Sequence, residues 1–122
     1  MISPYRLAKD EETKAPEPAP FTAISQSLYK SRTVLIFGEV DMKMAERVTA
    51  NLLALAAEDP NKDIKVVVHS PGGHVESGDT IHDMIKSLRP KVKTIGTGWV
   101  ASAGTHIFLA ADKAHRFSLP NT

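Results

Sequence analysis

Gly98-Trp99-Val100-Ala101-Ser102-Ala103-Gly104 sets one hydroxyl among glycines and small side chains. Before it, Val92 to Thr97 reads as a strand, and after it Ala103, Ile107, Phe108 and Ala111 recur at helical spacing. The stretch is therefore expected to be a strand, a turn and a long helix starting near Ser102. Upstream, Ser70-Pro71-Gly72-Gly73 repeats the arrangement. It follows the β-branched run Ile64-Lys65-Val66-Val67-Val68-His69. It precedes an amphipathic stretch marked by Ile81, Met84, Ile85 and Leu88, which Pro90 ends.

Further out the pattern continues. Thr33-Val34-Leu35-Ile36-Phe37 reads as a buried strand stopped by Gly38. Asp41 is placed to cap a helix through about Glu58, with Ala45, Val48, Leu52, Leu55 and Ala56 on one face. Thr22 to Lys30 is expected to form a short helix, and Ala114 to Leu119 a last short strand. Strand and helix alternate along the chain, which argues for an α/β fold built of βαβ units with a largely parallel sheet. Binding sites in such sheets form beyond the carboxyl ends of the strands. Both glycine-rich turns follow strands, so both are expected at that edge.

Residues 1–20 end in Ala15-Pro16-Glu17-Pro18-Ala19-Pro20 and are read as a flexible arm, with residues 21–122 forming the domain. The chain has 122 residues and a formal net charge of +1 with interleaved signs, so nucleic acid is not an expected partner. No cysteine is present, which excludes disulfides, thiolate metal sites and cysteine catalysis. This composition fits a cytoplasmic setting. No apolar run reaches the roughly 18 residues of a membrane span. His74, Glu76, Asp79, His82 and Asp83 resemble a metal cluster by composition but match no ligand spacing. Neither metal nor cofactor is expected.

The two turns hold parts that acyl transfer needs. One offers bare amides at Gly72 and Gly73, the other a hydroxyl with the Ala103 amide beside it. Each also has a plainer reading, as an ordinary tight turn and as a helix cap. A nucleophilic serine needs a base, and none of the five histidines stands out. His106, four residues after Ser102, is nearest along a helix face, although side chains there lean away from a strand-end pocket.

From about Phe21 onward the chain resembles the Clp protease proteolytic subunit family (ClpP-like serine peptidases). The resemblance rests on Phe37-Gly38-Glu39-Val40, Asn61-Lys62-Asp63-Ile64, Ser70-Pro71-Gly72-Gly73, Gly98 to Gly104 and Phe117-Ser118-Leu119-Pro120-Asn121. It implies a ClpP/crotonase-like spiral of ββα units, truncated before its final elements. It places the nucleophile at Ser102 and the oxyanion amides at Gly72 and Ala103, with Gly73, Trp99 and Val100 in the substrate pocket. Trp99, Val100 and His106 depart from the usual family residues. The resemblance also implies two stacked heptameric rings, an AAA+ unfoldase and unfolded polypeptide substrates. The family's catalytic histidine follows the segment matching Leu119-Pro120-Asn121, and its aspartate lies further on, so the 122-residue chain alone is expected to be inactive. The alternatives are an inactive truncated subunit with an assembly role, and a crotonase-type acyl-CoA enzyme.

Overall fold

A computed structural model describes residues 20–122, with side chains from Thr22 onward. The expected arm, apart from Pro20, lies outside the described residues. Helix α1 (Pro20–Lys30) leads into β1 (Thr33–Phe37), α2 (Met42–Glu58), β2 (Ile64–Ser70), α3 (Val75–Ser87), β3 (Val92–Val100), α4 (Ala103–Phe108), a 3₁₀ turn (Lys113–His115) and β4 (Arg116–Ser118). The four strands form one sheet in the order β1-β2-β3-β4, and every neighbouring pair is parallel.

The core lies between α2, α3 and α4 and one face of the sheet. Val34, Ile36, Ile64, Val66 and Val68 point into it from the strands. Val48, Leu52 and Leu55 meet them from α2, Ile81 and Ile85 from α3, and Ile107 from α4. Asp41 caps α2 as its position implies, its side chain accepting the Met44 N–H at 2.8 Å. The opposite sheet face carries a cross-strand row, Leu35, Val67, Ile95 and Phe117 in register. Its first three members are half-buried and Phe117 is exposed.

Two elements differ from expectation, each for a visible reason. Strand β3 runs to Val100, not Thr97, because Gly98 marks a bulge and not an end. Val68 pairs with Gly96 and Ser70 with Val100, leaving Thr97, Gly98 and Trp99 to arch around His69. The helix after Ser102 is not long: α4 has six residues. Its terminal carbonyls are taken by other donors. Thr94 Oγ1 donates to Phe108 O (2.9 Å), and Arg116 donates to Leu109 O (3.2 Å) and Ala111 O (2.8 Å). Ala110 N–H returns to Ile107 O, a three-residue step that tightens the end of the helix. His115 consequently sits in the 3₁₀ turn and not in the last strand.

Candidate active site

Both glycine-rich turns lie at the carboxyl ends of adjacent strands, and they touch. A Cβ built on Gly72 would fall 2.6 Å from Ser102 Cβ and 3.0 Å from its Oγ. The Ser102 side chain therefore lies on the bare face of Gly72. Only glycine leaves that space, and only glycine takes the φ of +109° found there without strain.

Ser102 stands at φ +53°, ψ −126°, a region that side chains rarely adopt, and it is exposed. It precedes α4 where a cap would stand, yet its hydroxyl makes no capping bond. The cap reading thus fails on geometry. What remains is a hydroxyl lifted off the backbone at a sharp strand-to-helix turn, a shape that exposes a serine nucleophile in other α/β enzymes. Ala103 is the first residue of α4, so its N–H has no intrahelical acceptor.

The first turn is held from two sides. Gly72 O accepts the Val40 N–H (2.8 Å), and Val40 O accepts the His74 N–H (2.8 Å). Gly73 bridges to Val40 and fits against it closely, since a Cβ there would fall 2.4 Å from Val40 O. On the other side stands Ser70, fully buried, whose part was not legible in the sequence. Its carbonyl accepts the Ala101 N–H (3.0 Å), which ties the two turns together. Its Oγ accepts the Gly72 N–H (3.1 Å). A serine two residues ahead of a turn amide is the signal that could have found it. Gly104 packs on the same residue, with 2.9 Å between its would-be Cβ and Ser70 O.

Trp99 is exposed, and its N–H lies 3.0 Å from His69 Nδ1. Val100 is half-buried against the core. Four histidines have polar partners elsewhere, and His115 lies in the 3₁₀ turn, its buried Nδ1 without a hydrogen-bond partner among the described residues. His69 Nδ1 also lies 3.0 Å from Thr97 O. His74 Nδ1 is 2.6 Å from Ser77 Oγ and caps α3. His82 pairs with Asp83 and His106 with Asp79, both at 3.1 Å. Among the described residues no histidine side chain is hydrogen-bonded to the Ser102 hydroxyl, and no group of three or more acidic or histidine side chains is placed to hold a metal ion. An apolar groove of about 530 Å³ runs between α2 and α3, lined in part by Met42, Thr49, Leu53 and His74. Ser102 is not part of it.

No helix among the described residues is long and apolar enough to cross a membrane. Residues 17–122 match the family described as Clp protease. The ATP-dependent Clp protease proteolytic subunit 3 of Rhizobium meliloti is 52% identical over 113 residues, covering 93% of this chain and 57% of the relative. The proteolytic subunit 2 of Pseudomonas aeruginosa is 55% identical over 95 residues, covering 76% of this chain and 46% of the relative. Among solved structures, ClpP1 from Listeria monocytogenes superposes with a TM-score of 0.78 at 56% identity, covering 81% of this chain and 58% of that one. The chain spans about half the length of such relatives, and its parallel α/β architecture is that of their fold. The chain belongs to the Clp protease family.

Proposed function

We propose that this chain contributes the nucleophile and oxyanion amides of a serine endopeptidase. The observation that carries the proposal is the contact of Ser102, in its strained turn, with the bare face of Gly72. Ser102 Oγ attacks the substrate carbonyl carbon and forms a tetrahedral intermediate. The amides of Gly72 and Ala103 hold the developing oxyanion. The general base takes the Ser102 Oγ proton and passes it to the peptide amine, which leaves; an acyl-enzyme on Ser102 remains, and water hydrolyses it to the carboxylic acid and free Ser102.

One exchange is required of the protein. The Gly72 N–H now donates to Ser70 Oγ, so the oxyanion must draw it away. An ionised acceptor makes a hydrogen bond roughly twice as strong as a neutral hydroxyl does, which favours that exchange. Gly73, Trp99 and Val100 flank the acyl position as pocket residues. The general base is expected, on the family resemblance, in the sequence after Leu119-Pro120-Asn121. The same resemblance supports assembly into two stacked heptameric rings, supply of unfolded polypeptide by an AAA+ Clp unfoldase, and a cytoplasmic location. An acyl-CoA enzyme of the crotonase type needs no strained, exposed serine, and the geometry favours the peptidase.

The test uses the protein that carries this sequence at family length. A fluorophosphonate is expected to label Ser102, as read by peptide mass spectrometry. Ser102→Ala is expected to lower fluorogenic peptide hydrolysis by on the order of ten-thousand-fold or more, because a nucleophile and its base act as a unit. The 122-residue chain alone is expected to turn over nothing, since among its described residues no histidine side chain is hydrogen-bonded to the Ser102 hydroxyl. Hydrolysis that survives Ser102→Ala would overturn the assignment.

A further inference from the structure

Two imidazole rings stand face to face where α3 meets α4. The rings of His82 and His106 lie 4.0 Å apart and within 8° of parallel. A carboxylate lies beside each ring. His106 Nε2 pairs with Asp79 Oδ1 at 3.1 Å, and His82 Nδ1 donates to Asp83 Oδ1 at 3.1 Å. Three of these side chains belong to α3 and the fourth, His106, to α4.

His106 is one helical turn beyond Ser102, and its N–H donates to Ser102 O at 3.2 Å. The first turn of α4 also sits hard against α3. A Cβ on Gly78 would fall 3.0 Å from Ala103 Cβ. Helix α4 therefore has a close backbone seat at its start and a side-chain clasp one turn on, and both are made to α3.

We infer that Asp79 and His82 are positioning residues, which act through His106 to set the orientation of α4 and with it Ser102 and the Ala103 amide. The inference rests on the reading of Ser102 as nucleophile. Six residues are far too few to hold a helix in water, so the direction of α4 is fixed by what it packs against. A strained residue such as Ser102 persists only where its surroundings over-determine it. The side chains of His106 and Asp79 are 46% and 55% exposed. A pair so exposed contributes little to global stability. Its mark is therefore local: turnover falls while the melting temperature stays nearly constant.

The experiment compares His106→Ala, Asp79→Ala, their double variant and Asp79→Asn in the protein that carries this sequence. It reads kcat and KM separately, the thermal midpoint, and amide hydrogen exchange at Ala103 to His106. Each alanine variant is expected to lower kcat about tenfold, well within the loss a misplacement of about 1 Å can cause, with KM changed less than about twofold. Exchange in the first turn of α4 should rise. The double variant should be no worse than His106→Ala, because that change already removes the pair with Asp79. Asp79→Asn should restore most of kcat, since its amide oxygen takes the same place beside His106 Nε2. Unchanged kcat and exchange, losses that multiply in the double variant, or a kcat loss matched by global destabilisation would each overturn the inference. If Ser102 is not the nucleophile, Ser102→Ala stays active while the exchange at α4 still reports the clasp.

Discussion

After β2 the chain turns through Gly72 and Gly73, at φ +109° and +141°; after β3 it turns through Ser102, at φ +53°. The two turns leave neighbouring strands at the same edge, and both need backbone that ordinary residues avoid. The first meets the need with residues that have no Cβ, so its shape is nearly free of strain. The second places a side chain where glycine would fit better, at roughly 1–3 kcal/mol. On the proposed mechanism, strain retained at one turn and avoided at its neighbour separates a part that presents a reacting group from a part that receives it. The contact between them explains the pairing: Gly72 is bare because Ser102 leans on it.

Gly72→Ala should break this arrangement most severely. The new methyl would fall 2.6 Å from Ser102 Cβ, and it must sit on backbone at φ +109°. If the amide of Gly72 serves the oxyanion, peptide hydrolysis per titrated Ser102 should fall by about 10²–10³-fold. Equal specific activity in variant and parent would remove Gly72 from the oxyanion assignment and leave the nucleophile untouched. Pairing the change with Ser102→Gly should relieve the clash, so the two changes should be far from additive in thermal stability.

The neighbouring glycine should behave differently. A Cβ on Gly73 meets the backbone of Val40 at 2.4 Å and 2.8 Å, and backbone cannot step aside as a side-chain tip can. Gly73→Ala should open the clasp between the β1–α2 segment and the first turn. A loss of about 2–3 kcal/mol is expected from the strained φ and the displaced contacts. Denaturant unfolding measures it. A variant as stable as the parent would show that the clasp gives way easily, and that the contrast between the two glycines is smaller than their geometry implies.

The sequence made much of this legible. Apolar spacing located α2 and α3 and their core faces, because a helix that buries one side must repeat every three to four residues. Asp41 announced the start of α2 by capping chemistry. The two turns were visible as glycine strings after β-branched runs. The long helix after Ser102 was not there, since spacing cannot reveal that Thr94 and Arg116 would take its last carbonyls from other elements. Nor does a glycine say whether a strand ends or bulges, and Gly98 does the latter around His69. The bond from Ala101 to the Ser70 carbonyl and the His82–His106 stack join residues far apart in sequence, and no local pattern encodes them.

The smallest effect tests the strain itself. Ser102→Gly removes the Cβ that disfavours φ +53°, ψ −126°, and with it roughly 1–3 kcal/mol of conformational strain. Against this stands the extra freedom a glycine gives the unfolded chain, roughly 0.5–1 kcal/mol. The net expectation is a gain of about 1 kcal/mol, or about 4–8 °C in thermal midpoint for a domain near this size. Ser102→Ala is the necessary comparison. It abolishes the hydroxyl equally but keeps the Cβ, so its strain and its midpoint should stay near the parent's. Both variants are inactive on the proposed mechanism, and only one is expected to melt higher. Should they melt together, the turn at Ser102 carries no stored strain. The serine would then differ from the glycines upstream in chemistry alone, and its unusual backbone would follow from close packing against Gly72 and not from a conformation held under tension.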